Sequence, residues 1–175
     1  MHVRTLDPSD ALAYRALMLH GYDSAADAFT STTAERAAEP LDWWQKRICD
    51  PKGLSRAFGA FEDSALVGSV AIEFSEKSKT RHKALVVGMY VAEAHRHLGA
   101  GRALLQAVIA HARSRVGVKA LVLTVTEGNA GALRLYQSAG FRQFGLEPMA
   151  IFTGIEYKAK AHLVLLLGPD EHAVT

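Results

Sequence analysis

Among 175 residues the chain holds a single cysteine, Cys49. One thiol cannot close an intramolecular disulfide, and no Cys/His cluster with zinc spacing accompanies it. Neither a disulfide framework nor a thiolate metal site is expected, and a reducing cytoplasm is the simplest setting. Beside Trp43 and Trp44, Cys49 reads as a small buried hydrophobe rather than a nucleophile. Long apolar runs are missing too. Leu163 to Leu167 falls far short of the roughly 20 residues a spanning helix needs, and Met1 to Asp7 reaches charged residues at once, unlike a secretory leader. Charge of one sign is also scarce: 20 basic side chains against 18 acidic leave a net charge of +2. Without a concentrated basic face, neither nucleic acid nor a membrane surface is an expected partner. No internal repeat, low-complexity tract or dividing linker breaks the chain.

What remains is an ordinary globular composition, 49% hydrophobic and 22% charged, long enough for one domain with a substantial core. That domain is expected to run over 1–175, with its core at about 3–167. Val3 to Leu6 reads as a first strand. Asp7-Pro8-Ser9-Asp10 then supplies helix-start chemistry for a helix reaching about His20. Gly21 to Pro51 is irregular, with helical stretches at Thr33–Ala38 and Leu41–Cys49, the latter packing Trp44 and Ile48 inward. Ala57–Glu62 and Leu66–Phe74, separated by Asp63-Ser64-Ala65, read as a β-hairpin. A polar loop from Ser75 to Lys83 follows.

Ala84–Ala92 reads as a central strand with apolar residues on both faces. From Gly101 onward Leu104, Leu105, Val108, Ile109 and Ala112 fall at helical spacing. Ala120–Thr126 is the next strand, Ala130–Ala139 a short helix, and Arg142–Thr153 with Glu156–Leu167 a last antiparallel pair whose Leu163–Leu167 run should be buried. The pattern predicts an α/β fold, α+β by some schemes. Its mixed, mostly antiparallel central sheet should have about six to seven strands, flanked by about four helices.

The segment Arg96-His97-Leu98-Gly99-Ala100-Gly101-Arg102 stands between a strand and an amphipathic helix. Glycines there let consecutive amides converge on an anion at the positive end of the helix dipole. A Walker loop needs Gly-Lys-Ser/Thr, and here Arg102-Ala103 follows the last glycine. A dinucleotide fingerprint needs a third glycine or alanine where Leu104 stands. Downstream, Asn129 follows the strand, Tyr136 lies within the next helix, and Gly140-Phe141 closes it. Taken singly these are a tight turn, an N-cap, a core tyrosine and a helix terminator.

Together, R/Q-x-x-G-x-G/A at Arg96, Gly99 and Gly101, then Asn129, Tyr136 and Gly140-Phe141, this order resembles the GNAT N-acetyltransferase superfamily over nearly the whole chain. The resemblance implies transfer of an acetyl group from acetyl-CoA to a primary amine by direct attack in a ternary complex, with no metal. The implied coenzyme contacts are Met89, Val91, Arg96, His97, Leu98, Gly99, Ala100, Gly101, Arg102, Asn129 and Tyr136. It also implies backbone oxyanion contacts at Tyr90 and Val91, and Tyr136 as general acid. Base candidates are Glu73 and His82, with Glu127 and His162 beside them. The acceptor is a small-molecule or peptide amine, placed by the resemblance in the variable N-terminal half, where Tyr22, Phe29, Trp43 and Trp44 supply aromatic weight. The Gly145-Leu146-Glu147-Pro148 turn and the Lys83-to-Val91 strand are most similar to small bacterial-type members of uncertain acceptor. Homodimerisation through terminal strands is common in the family. The alternative reading is a catalytically silent acetyl-CoA-binding sensor or scaffold of the same fold.

Overall fold

A computed structural model describes residues 1–168 of the chain; residues 169–175 of the expected domain lie outside it. Seven strands form one sheet: β1 (His2–Thr5), β2 (Ser55–Glu62), β3 (Ala65–Phe74), β4 (Lys83–Val91), β5 (Ala120–Thr126), β6 (Arg142–Phe152) and β7 (Tyr157–Leu166). Their order across the sheet is β1-β2-β3-β4-β5-β7-β6. Only β4 and β5 run parallel; all other neighbours are antiparallel. Five α-helices accompany them: α1 (Ala11–Ser24), α2 (Thr33–Ala37), α3 (Leu41–Ile48), α4 (Ala100–Ser114) and α5 (Ala130–Ser138). The mixed sheet agrees with the sequence pattern, and the fifth helix is the short α2. Among the described residues no helix is long and apolar enough to cross a membrane.

Local chemistry explains the helix boundaries. Asp7 and Asp10 form a reciprocal capping box at the turn that leads into α1, and Thr32 with Glu35 does the same for α2. Asn129 caps α5, its side chain accepting from the Ala132 amide at 3.1 Å. At the other end of α5, Gly140 at φ 95° returns its amide to Gln137, and Phe141 returns its own to Tyr136.

The sheet carries a core on each face. Leu104, Leu105 and Val108 of α4 pack with Tyr136 of α5 against Phe58, Val70, Ile72, Val86, Leu121, Leu123 and Leu163. Each fully buried aliphatic side chain contributes roughly 1.5–3 kcal/mol. On the opposite face Tyr14 and Met18 of α1 and Trp44 and Ile48 of α3 cover Leu6, Ala57, Phe61, Ala71 and Tyr90. The expected inward packing of Trp44 and Ile48 is what the structure shows.

Three details depart from the sequence reading. The first helix does not stop near His20 but runs to Ser24, burying Gly21 and Tyr22 on the same face as Leu17 and Met18. Gly145 to Pro148 is not a turn; it lies inside β6, where two register shifts against β7 absorb the irregularity. The Leu163–Leu167 run is only half buried: Leu163 is shielded, but Leu166 is 60% exposed. It belongs to the side of the sheet that α1 and α3 do not reach, so its alternate residues meet solvent.

Strand β4 is not the evenly alternating strand that its sequence suggests. Its register with β3 runs Ala71↔Val87 and then Ser69↔Tyr90, so β4 holds one residue more than its partner over that interval. The bulge centres on Gly88 at φ 62°, a conformation that glycine tolerates best. Before it, Ala84 and Val86 face α4. After it the alternation is inverted: Tyr90 enters the α1 and α3 core, while Met89 and Val91 turn toward α4.

Two stability predictions follow from these cores. A Cβ on Gly21 would stand 2.9 Å from Cγ of Tyr90. Gly21→Ala gains up to about 1 kcal/mol of helix propensity, but the overpacking costs about 1–3 kcal/mol. The variant should therefore melt several degrees lower; an unchanged or raised melting temperature would contradict the contact. His111 packs edge-on to Phe58 and Phe74 at 5.6 and 5.9 Å, and burial, with Arg56 and Arg115 nearby, lowers its pKa. The unfolded chain then binds the extra proton first. Stability should be fully present above the ordinary histidine pKa of about 6.5 and fall as pH drops below it. His111→Gln should flatten that slope in denaturant titrations run across this window.

Candidate active site

The parallel pairing of β4 with β5 covers only Lys83↔Ala120, Ala84↔Leu121 and Leu85↔Val122. Beyond Leu85 the two strands diverge, and the β5-facing edge of β4 has no ladder partner. The gap opens into a cleft of about 1160 Å³. Met89, Tyr90 and Val91 form one wall. Arg96, His97, Gly99, Gly101 and Arg102 stand at its head, and Thr126, Glu127, Gly128, Asn129 and Gly131 on the β5–α5 side. Residues separated by the whole of α4 in sequence are thereby brought to one opening.

The head of the cleft is built from backbone. His97 at φ 64° and Gly99 at φ 89° reverse the chain so that α4 starts pointing away from the cleft. The helical ladder begins with the Ala103 amide, which donates to Gly99 O at 3.0 Å. The amides from Ala100 to Arg102 belong to the first turn, which has no intrahelical acceptor. They carry the positive end of the α4 dipole. Gly101 is small for a packing reason as well, since a Cβ there would come within 3.2 Å of Leu135 of α5. Arg96 is tied back to β4, its Nε donating to Val91 O at 3.0 Å.

The structure brings most of the expected coenzyme residues together. Met89, Val91, Arg96, His97, Gly99, Gly101, Arg102 and Asn129 line the cleft, as does Tyr90, whose hydroxyl meets Ser24 Oγ at 2.9 Å. The side chain of Leu98 is 61% exposed, and that of Ala100 is buried in the α4 core, so these two can offer only backbone. Tyr136 is 6% exposed and stacks edge-on with Phe141 at 5.8 Å. It packs behind the cleft rather than lining it, and burial raises the pKa of its phenol.

The base candidates separate. Glu73 lies at the far end of β3, where Arg47 holds it at 3.0 Å, and His82 precedes β4 at the end opposite the cleft. Neither lines the opening, because β4 carries the chain about 3.3 Å per residue away from them. His162 on β7 is engaged with Glu147 at 2.9 Å. Glu127, at the tip of β5, is the one of the four that lines the cleft.

Several cleft residues escaped the sequence reading. Asp23 and Ser24 end α1; Asp27 and, from β7, Lys158 complete the outer rim beside the already expected Phe29. Lys158 Nζ meets Asp27 Oδ2 at 2.6 Å, closing the rim from two distant segments. The continuation of the Leu17, Met18, Gly21, Tyr22 stripe past His20 was the available signal for the α1 residues. For Lys158 no local pattern exists. Of the aromatic residues weighed for the acceptor side, Tyr22 and Phe29 line the adjoining recess, whereas Trp44 is core and Trp43 stacks on Arg36.

Comparison with known proteins agrees with this arrangement. The sequence profile described as the acetyltransferase (GNAT) family matches residues 19–141. Among solved structures, YncA of Salmonella typhimurium, determined with its cofactor acetyl-CoA, superposes with a TM-score of 0.80 at 24% identity, covering 100% of this chain and 97% of its own. The ribosomal-protein-alanine N-acetyltransferase of Brucella melitensis gives a TM-score of 0.78 at 23% identity, covering 95% and 100%. A mycothiol acetyltransferase from Thermobispora bispora is 46% identical over 54 residues, which is 31% of this chain and 18% of that protein's length.

The Gly99 turn gives a test that needs no ligand. Nothing lies within 4 Å of a Cβ built there, so Gly99→Ala should destabilise through conformation alone, by about 1–2 kcal/mol. Gly99→Asn, which tolerates the left-handed region better, should cost less in urea denaturation.

Proposed function

The chain belongs to the acetyltransferase (GNAT) family, and on that footing we propose that its cleft binds acetyl-CoA and transfers the acetyl group to a primary amine. One observation carries the reading: the β4 edge is left without a ladder partner beyond Leu85, directly beside an amide-lined helix start. A pyrophosphate suits the amides from Leu98 to Arg102, with Arg96 and Arg102 adding charge. An amide-bearing pantetheine arm suits the free edge of Met89 to Val91, as an added strand would. Asn129 borders the same channel.

The acceptor must lose a proton before attack, since an alkylammonium has no lone pair. Glu127, the base candidate that lines the cleft, takes it in this reading, directly or through water. In this reading the backbone near Tyr90 and Val91 supplies the donors that a developing oxyanion needs. The departing thiolate then requires a proton. A phenol, ordinarily near pKa 10 and here raised further by burial, stays protonated through the neutral range, so Tyr136 is always ready to donate a hydrogen bond. Full transfer to a thiolate whose conjugate acid is near 8.5 runs uphill, and subsequent loss of the acetylated product's proton must draw it forward.

The silent-binder alternative draws on the same residue, because Tyr136 packs behind the cleft rather than lining it. Thiol release over a panel of amines separates the two readings: coenzyme binding without release favours the silent binder. In an active enzyme Tyr136→Phe should lower kcat by about a hundredfold or more, within the range of about 10²–10⁴ for acid catalysis. Unchanged turnover at saturating acetyl-CoA would remove Tyr136 from the mechanism. Glu127→Gln should abolish the acidic limb of the pH–rate profile.

A further inference from the structure

Along β5 and β7 polar side chains remain that donor binding does not use: Thr126 in the cleft lining and Lys160 buried behind it. Thr126 closes β5 and lines the cleft; it is 4% exposed, and its Oγ1 is shielded from solvent with no hydrogen-bond partner. Buried hydroxyls are seldom left so. Lys160 stands directly across from Thr126 in the β5–β7 ladder and therefore shares its face. It is 8% exposed. Among the described residues its ammonium has one hydrogen bond, to Thr30 Oγ1 at 3.4 Å, and no ion pair.

The neighbouring charges are already committed. Glu147, facing Lys160 from β6, is bonded to His162 Nε2 at 2.9 Å, and Lys158 is held by Asp27. Burial lowers the pKa of Lys160, opposed only by the more distant charge of Glu147. Across the opening, Asp23 faces both the cleft and an adjoining recess of about 600 Å³, and it forms no ion pair among the described residues. Phe29 and Tyr22, edge-on at 4.7 Å, wall that recess.

We propose that the acceptor is a free amino acid or a close relative, with its carboxylate received by Lys160 and Thr126 and its ammonium drawn toward Asp23. This rests on the acetyl-transfer reading above. A carboxylate supplies the missing partner to the ammonium and the orphaned hydroxyl together. An amine without one leaves Lys160 uncompensated and sets a second positive charge beside it, so such amines are rejected as well as unassisted. In the transfer the acceptor nitrogen bonds to the acetyl carbonyl carbon as the carbon–sulfur bond breaks. The ammonium gives up two protons, of which one ends on the sulfur and one in solvent.

The test is coenzyme thiol release with matched pairs, each amino acid against its own carboxamide and its decarboxylated amine, alongside thermal melting with acetyl-CoA. The amino acid of at least one pair should be favoured by about tenfold or more in kcat/KM, as loss of a charge-assisted bond predicts. Lys160→Met should bring that ratio to within about threefold, and Lys160→Arg should retain it. Melting with acetyl-CoA shows that each variant is folded and holds the donor. Release that is equal or greater with the carboxamides or amines overturns the amino-acid assignment alone, as does a ratio that Lys160→Met leaves unchanged. Stabilisation by acetyl-CoA with no release from any pair overturns the transfer reading, and the acceptor assignment with it.

Discussion

The bulge at Gly88 and the divergence of β4 from β5 are the constraint on which the rest of the site depends. A parallel pair that stayed zipped to its ends would satisfy its own backbone and leave no room for a ligand. Here the pairing ends after Leu85, and the released edge lies beside the start of α4. The extra residue in β4 then rotates the strand by one step, so that Tyr90 points into the α1 core and Met89 and Val91 face the other way. Both cores thus grip the same three residues from opposite sides, which fixes the wall of the cleft.

That grip couples the two halves of the chain. Gly21 in α1 makes space for the Tyr90 ring, Ser24 bonds its hydroxyl, the last turn of α1 presents Asp23 to the opening, and the segment after α1 adds Asp27 and Phe29. Lys158, from the far end of the chain, meets Asp27 there. The charges of the cleft are consequently sorted by wall. Amide dipoles and arginines stand at its head, carboxylates along α1 and the β5 tip, and Lys158, paired with Asp27, on the β7 side, with Lys160 buried behind that lining. The proposed anionic donor and the proposed amino-acid acceptor would meet opposite ends of that distribution.

Much of the fold was legible in the sequence because its signals are local. Asn129 and Gly140 bracket α5 by capping chemistry, and Leu104, Leu105 and Val108 mark the buried face of α4 by spacing alone. The Arg96 to Arg102 segment marked a helix start, since Gly99, found at φ 89°, is the residue type that enters that region most freely. Less legible were features that depend on a partner strand. A bulge is a mismatch between two strands, so Ala84 to Ala92 by itself looked regular. The half exposure of Leu163 to Leu167 depended on which part of the sheet the helices cover.

The sequence alone determined the order of elements, the glycine turn into α4 and the family resemblance, because these are written in residues close together in the chain. Only the tertiary structure decided which titratable groups share the cleft. Glu73 and His82, plausible by position in sequence, stand at the wrong end of β4, whereas Glu127, Asp23 and Lys158 meet around one opening. Tyr136 shows both sides of the division: its place in the motif was legible from the sequence, but its burial behind the cleft came from α5 packing onto Phe141. The reason is physical. Electrostatic and hydrogen-bond chemistry acts over a few ångströms of space, and strand pairing between distant segments, not spacing along the chain, sets those distances.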